Sequence, residues 1–500
     1  MNCRKTLFLF ALLAAATLSA CSGLPVTSTC TTNCITTSGN ALLSVTLQAE
    51  PLTPPPSTNL LSYSLVVGGI TLTPSTGNPT NIPGPFTFDL TRLQSDSAFL
   101  GTVQVPAGTY TSLTISLTSA EVTYCTVTAG VPGCTSGTVT QISGGASAPV
   151  FTFADGGLVL TASQQAGISV AVNIASTLTI ANQAVTGIDL ADATLSSVTL
   201  GPTHPSSLTS TQLDYLEDVT GNVSVNGNAV TIKTSTYGSL TATASDNTFY
   251  SPNCTILGLA LSIACVQNNQ VASINAILDA DGTIDLISFD PISAASATNN
   301  DWLEGVVIYP TSGANRLNIV VNDADVSSSA SVLPTTIPIG SPVTVLLSNS
   351  PAFGVDSQGL NVPGDAASFS FSSLLPGQAV AVHVLSFSTT GGTPTGILVT
   401  SDAVELRFSR VAGTAAQSGT TTNFTLATNS LPTYFDFITA NQLVEFTSGT
   451  PPSTNSTNYD GVSSPGNITS GDTYSIRALY FGQNDTYPFV AAKVRQNPIP

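Results

Sequence analysis

Short runs in which an apolar residue alternates with Ser or Thr, each run soon ended by Gly or Pro, limit what this chain can fold into. Leu43-Ser44-Val45-Thr46-Leu47 and Leu113-Thr114-Ile115-Ser116-Leu117 alternate cleanly, Tyr63-Ser64-Leu65-Val66-Val67 does so with one slip, and Phe86-Thr87-Phe88 and Thr102-Val103-Gln104-Val105 repeat the pattern. A period of two is the signature of a half-buried strand, and no sustained 3.6-residue amphipathic period occurs beyond the first twenty residues. The 40 Gly and 31 Pro are spread along the whole length, punctuating many short strands rather than bounding long helices. Thr with Val, Ile, Phe and Tyr suits a pleated surface, and Ser and Thr together exceed a quarter of the 500 residues. The expected fold is all-β, and the length calls for about three or four domains.

The amino terminus is different. Arg4 and Lys5 precede a short apolar run, Leu7–Leu18, which ends in Leu18-Ser19-Ala20-Cys21. A charged start, a brief apolar stretch and small residues at a cut site read as a secretory signal over residues 1–20. With Cys21 just after the small pair, the segment resembles the lipobox of bacterial lipoproteins. The resemblance implies cleavage before Cys21, lipidation of its thiol and attachment to a membrane through that lipid. The expected location is a bacterial cell envelope, preferably the outer membrane or cell surface. Residues 21–40 are polar and Thr-rich, as a flexible tether would be.

An exported chain meets an oxidising compartment, so its cysteines are expected in disulfides. Besides Cys3 and Cys21, six remain in close pairs: Cys30–Cys34, Cys125–Cys134 and Cys254–Cys265. Zinc is a poor rival, because C-x₃-C and C-x₈-C occur with no nearby His. Once Arg4 and Lys5 are removed, eight basic residues face 28 carboxylates. That balance repels nucleic acid, and no Lys/Arg cluster offers a phosphate-binding stripe, so nucleic acid is excluded as a partner.

Four β units are expected behind the tether. In residues 41–200 the segment from Phe88 to Val122 carries Asp89, Leu90 and Leu93, then a short strand, then Pro106-Ala107-Gly108-Thr109-Tyr110 and an amphipathic strand. These features resemble domain of unknown function 4382, found behind the anchor of many bacterial lipoproteins; the same turn occurs in prealbumin-like sandwiches. A β-sandwich, prealbumin-like or Ig-like, is therefore expected, with no chemistry to transfer. Residues 201–213 read as a linker by composition. Three diverged units follow, 214–295, 301–408 and 409–497, opening on Leu216-Glu217-Asp218-Val219, Leu303-Glu304-Gly305-Val306 and Phe408-Ser409-Arg410-Val411. Each continues into a strand (AVTIKT, RLNIVV, NFTLAT) and closes on an alternating one. Their spacing fits small β-barrel or sandwich modules, and their turn-strand pattern resembles domain of unknown function 5666. Glu217 and Glu304 read as equivalent positions of two modules.

Catalytic motifs are scarce. No two glycines are separated by one residue, so a G-x-G-x-x-G loop is impossible; no P-loop and no G-x-S-x-G occur. His204 and His383 are the only histidines; the first reads as a solvated linker residue and the second as a hydrogen-bonded strand residue rather than a triad base. A hydrolase of the glycosidase kind needs only two carboxylates, but the six glutamates (50, 121, 217, 304, 405 and 445) are far apart in sequence. Asp279 and Asp281, and Asp323 and Asp325, alternate as oxygen ligands for a calcium ion would, although Asp281-Gly282 also reads as a hairpin turn. Trp302, the close group Tyr434, Phe435 and Phe437, and Tyr480, Phe481, Tyr487 and Phe489 near the end could form a glycan-stacking platform, or alternatively core and inter-module packing. The expectation is a non-enzymatic binding or structural lipoprotein contacting glycan or an envelope protein, with no cofactor apart from calcium; the alternative is an envelope carboxylate-dependent hydrolase.

Overall fold

The computed structural model describes residues 39–50 and 60–497, less short internal stretches of which the longest is 201–211. The signal, Cys21, the tether as far as Ser38, the Cys30–Cys34 pair, most of the expected linker with His204, Asp281 and Tyr434 lie outside the described residues. The chain is all-β: the alternating segments become strands, and the inward face is the apolar one. Leu113, Ile115 and Leu117 are buried while Ser116 faces solvent.

The first unit is a two-sheet sandwich. Its strands are β1 (Asn40–Glu50), β2 (Leu60–Pro74), β3 (Thr80–Asp89), β4 (Ala98–Pro106), β5 (Gly108–Val127), β6 (Cys134–Gly144), β7 (Val150–Thr152), β8 (Leu158–Leu160), β9 (Gln165–Asn173), β10 (Leu178–Ala181), β11 (Ala184–Ile188) and β12 (Thr194–Leu200). One sheet has the order β12-β9-β1-β4 and the other β3-β2-β5-β6, with β7 and β8 also on β5; β10 and β11 form a separate hairpin. Leu43, Val45 and Leu47 of one sheet share a core with Leu65, Val67, Leu113 and Ile115 of the other. The Pro106-Ala107-Gly108 turn joins β4 to β5, and the Tyr110 hydroxyl donates to the Pro106 carbonyl across it at 2.7 Å. A one-turn 3₁₀ segment, Arg92–Gln94, links β3 to β4 and enters the junction described below.

Three five-stranded barrels follow. The first contains β13 (Gln212–Asn226), β14 (Ala229–Lys233), β15 (Ser239–Thr243), the short β16 (Phe249–Tyr250), β17 (Val271–Asp279) and β18 (Ile284–Pro291). The second contains β19 (Trp302–Thr311), β20 (Arg316–Asp325), β21 (Pro342–Val355), β22 (Ala379–Gly392) and β23 (Gly396–Arg407). The third contains β24 (Ser409–Gln417), β25 (Asn423–Leu426), β26 (Gln442–Phe446), the short β27 (Asn458–Asp460), β28 (Thr473–Tyr480) and β29 (Phe489–Asn497). In each, three strands meander, a hairpin returns to pair with the first strand, and a parallel pairing of third and last strands closes the barrel (β15–β18, β21–β23, β26–β29). This is a five-stranded Greek-key closure of the OB type; a fold so widely shared assigns no function.

The glycines set the correspondence among the barrels. Gly221, Gly305 and Gly413 each pair with the second residue of the returning strand: Ala272, Val380 and Tyr474. A Cβ at Gly221 would strike the Lys233 carbonyl and one at Gly305 the Val320 carbonyl, so the first two strands approach too closely for a side chain. In this register Glu304 matches Thr220, not Glu217. The sequence equivalence of the two glutamates therefore fails: β13 carries a bulge ahead of its glycine, and matching the Leu-Glu pairs ignored it.

Disulfides Cys125–Cys134 and Cys254–Cys265 form, with Cα atoms 5.5 and 5.6 Å apart. The backbone clash yields a direct expectation. Gly221→Ala should destabilise the protein by about 3 kcal/mol, measured as a lowered urea midpoint; an unchanged midpoint would show that the two strands can part there.

Candidate functional site

Every strand has few charges to place, and the structure places the cations together. Of the eight basic residues after Cys21, Arg92, Arg407, Arg410, Arg477, Lys493 and Arg495 gather where the sandwich and all three barrels meet. Arg407, Arg477, Lys493 and Arg495 are buried, and Arg92 and Arg410 nearly so.

Asp218 is the centre. Between Leu216 and Val219, Glu217 and Asp218 together oppose the single residue Asn275 on β17, a β-bulge. Asp218 takes φ +57° there, and its N–H donates to Asn275 Oδ1 at 2.9 Å. Asp tolerates the left-handed region better than most residues, and a bulge re-aims its side chain. The carboxylate then receives Arg92 of the sandwich at 3.2 Å, Ser273 of its own barrel at 3.0 Å, Arg407 and Gln358 of the second barrel, and Arg410 and Arg477 of the third. Four units touch one carboxylate.

Around it the pairs run between units. Arg92 also reaches Glu304 at 3.1 Å, Arg410 holds Asp96 at 2.8 Å, and Lys493 holds Glu217 at 2.7 Å. Arg407 pairs with Asp356 within its own barrel. Arg495 joins Asp460 at 2.7 Å and donates to the Leu93 and Asp96 carbonyls and to Ser97 Oγ, capping the 3₁₀ segment. The Arg477 guanidinium lies 3.9 Å from the Phe408 ring centroid. Phe408 is the only residue between β23 and β24, so the second and third barrels meet with no slack.

The shifts in proton affinity follow this geometry. Burial would raise the Asp218 carboxyl, but Arg410, Arg477, Arg407 and Arg92 outweigh it and hold the group well below the usual range. Asp96 is lowered in the same way: burial opposes and Arg410 prevails. Where burial wins, the shift reverses. Glu217 is raised despite Lys493; Asp325 is raised well above the ordinary value by burial with Asp323 and Glu304; Asp290, near Arg407 but held chiefly by neutral donors, is pushed up to about 6. Against the junction lies a cavity of about 50 Å³ whose lining includes Asp89, Arg92, Asp96, Glu217, Asp218 and Asp323. That is room for a few water molecules. An open groove of about 380 Å³ lies in the third barrel, lined by hydroxyls such as Thr447, Thr457 and Ser463 and by the rings of Phe446 and Tyr459.

The residues singled out from sequence fall in several places. Trp302 is 5% exposed, against His383 and clustered with Val271, Ile292 and Ala381, so it packs between the first two barrels. Tyr480 is fully buried and stacked on Phe489 at 4.6 Å, while Phe481 and Tyr487 are half-buried against the core of the second barrel. Neither Trp302 nor Tyr480 offers a ring face to solvent. Asp279 ends β17, whereas Asp323 and Asp325 are buried on β20 beside the charge junction. Among the described residues, no group of three Asp, Glu, His or Cys side chains is disposed to hold a metal ion. His383 Nδ1 lies 2.6 Å from Asp402 and its Nε2 lies 3.0 Å from the Asn299 carbonyl, so both ring nitrogens are engaged. Glu217 and Glu304 converge on the junction from different strands, while Glu50, Glu121, Glu405 and Glu445 sit on other strands.

Sequence reasoning passed over Arg92, Asp96, Arg407, Arg410, Arg477, Lys493 and Arg495. The available signal was a cation inside an apolar strand, as in Tyr474-Ser-Ile-Arg-Ala-Leu-Tyr480 and Phe489-Val-Ala-Ala-Lys-Val-Arg495; a buried cation requires a buried partner. No protein-family model matches the chain, and no curated protein matches it in sequence.

Two measurements test the junction. Asp218→Ala leaves several buried guanidinium groups without their shared partner and should cost about 3–5 kcal/mol by urea denaturation, whereas Asp246→Ala, at an exposed turn, should leave the midpoint unchanged. Asp290 keeps its proton to about pH 6 when folded and loses it near pH 4 when unfolded. Its contribution to stability is complete below pH 4 and is lost as pH rises to about 6. Asp290→Asn should remove roughly 2–3 kcal/mol of that pH-dependent loss; an identical pH profile in the variant would refute the assignment.

Proposed function

We propose that this chain is a lipid-anchored cell-envelope protein whose four β units act as one rigid body in a binding or structural role, without catalysis. One observation carries the reading: six of the eight cations after Cys21 are sunk into a junction that ties the sandwich to all three barrels. Charges buried and paired between units fix relative orientation, which suits a protein that holds a surface at a set position.

Of the carboxylates bordering the cavity, Asp96, Glu217 and Asp218 are engaged by Arg and Lys, and Asp89 accepts from Thr91 and Asn322, which weighs against the hydrolase alternative. A binding role would use the groove of the third barrel, whose size falls in the ordinary range for small ligands. The lipobox-like Leu18-Ser-Ala-Cys21 supports attachment through Cys21, with the outer membrane or cell surface of a bacterium as the preferred location.

The test is metabolic labelling with a fatty acid, followed by membrane fractionation in a bacterial host. The parent chain should carry label and sediment with membranes, and Cys21→Ser should lose the label. An unlabelled parent chain would overturn the anchor.

A further inference from the structure

We propose that the disulfide-closed loop between Cys254 and Cys265 is a second membrane contact, inserting apolar side chains into the interfacial region of a lipid bilayer; the inference rests on the lipid-anchor reading above. The loop reads Thr255-Ile-Leu-Gly-Leu-Ala-Leu-Ser-Ile-Ala264, and no charged residue or histidine occurs anywhere from Asn247 to Leu278. In a chain of formal net charge −18, such a stretch can leave water without dehydrating a charge.

The loop is built to present its tip. Cys254 and Cys265 are fully buried, and their bridge fixes both ends on the first barrel. Leu259 and Ile263 pack inward on that barrel's core. Ile256 and Leu261 do not: Ile256 is 79% exposed, the most exposed large apolar side chain among the described residues, and Leu261 is 56% exposed. Scattered surface apolar residues need no explanation, but here two share one uncharged, cross-linked loop. Most of its N–H groups find acceptors within the loop or beside it. Leu257 N donates to Asn253 O, Gly258 N to Thr255 O, Leu259 N to Cys254 O, Ser262 N to Ala260 O and Cys265 N to Ser262 O. Unpaired peptide groups are what make irregular backbone costly in lipid.

Size and reach favour a bilayer as the occupant. A stable protein interface takes about 800 Å² and some 20–30 residues per partner, more than this ten-residue loop supplies. Insertion of side chains into lipid sets no such minimum, since binding scales with the apolar area buried. The tether from Cys21 to Gly39 spans about 60 Å when extended. Asn40 pairs with Pro106 at one end of β4, and Phe99 near the other end packs on the first barrel's core. That length of strand is only about 25 Å, so the extended tether is more than twice as long as the strand that separates its end from the first barrel.

The experiment uses the full lipidated chain with Ile256→Trp, mixed with phosphatidylcholine vesicles with or without acyl-brominated lipid and read against the parent, whose one Trp is buried. The proposal expects the chain to float with the vesicles and the added emission to shift to the blue and fall about twofold with brominated lipid. Flotation with emission that stays water-like overturns the loop contact and leaves the anchor standing; failure to float overturns both. Ile256→Ser with Leu261→Ser in a Cys21→Ser chain should lower the residual vesicle partitioning about tenfold, and equal partitioning with and without these two substitutions overturns the proposal. A dimer formed through the loop without vesicles also overturns it, by making a second copy the occupant.

Discussion

A carboxylate that four units share imposes a condition on each of them. Asp218 is buried, and a buried ion is tolerable only with its partners in place; those partners come from β17, from the Arg92–Gln94 turn, and from the second and third barrels. Moving any one unit away would leave a charge or a hydrogen-bonding group exposed to an apolar interior. The bulge that aims Asp218, the shared glycine register of the barrels and the single-residue join at Phe408 all serve this geometry. An apolar junction of equal volume could be as stable.

The concentration of cations inside also determines the surface. Lys233 is the exposed basic residue among those described, and Arg316 is half-buried. Surface carboxylates therefore have few surface cations to pair with. Negative charge on the surface is largely left to repulsion and hydration rather than to ion pairs.

Strands were legible in the sequence because a two-residue period writes burial directly: Leu113, Ile115 and Leu117 read as inward and are. The two disulfides within the described residues were legible because short separations in a strand-turn context leave few geometries. The Pro106–Tyr110 turn was legible from its residue types. The junction was not, because its partners lie hundreds of residues apart and because the two glutamates that looked equivalent are offset by the bulge. Aromatic residues were ambiguous for a plain physical reason: a ring that stacks on a sugar and a ring that fills a core look alike in sequence, and for Trp302 and Tyr480 burial decides for the core.

Arg495 donates to the carbonyls of Leu93 and Asp96 across some four hundred residues. That contact can form only late in synthesis. The sandwich has a core of its own, yet the Leu93 and Asp96 carbonyls lack the Arg495 donor until β29 has emerged. Each barrel, likewise, needs its last strand for the parallel pairing that closes it. Non-local contacts of this kind slow folding and prolong the exposure of partly paired edges. Until the third barrel is complete, Asp96 lacks Arg410 and Asp218 lacks Arg410 and Arg477. The last strands to be made thus carry cations that acids placed far earlier in the chain require.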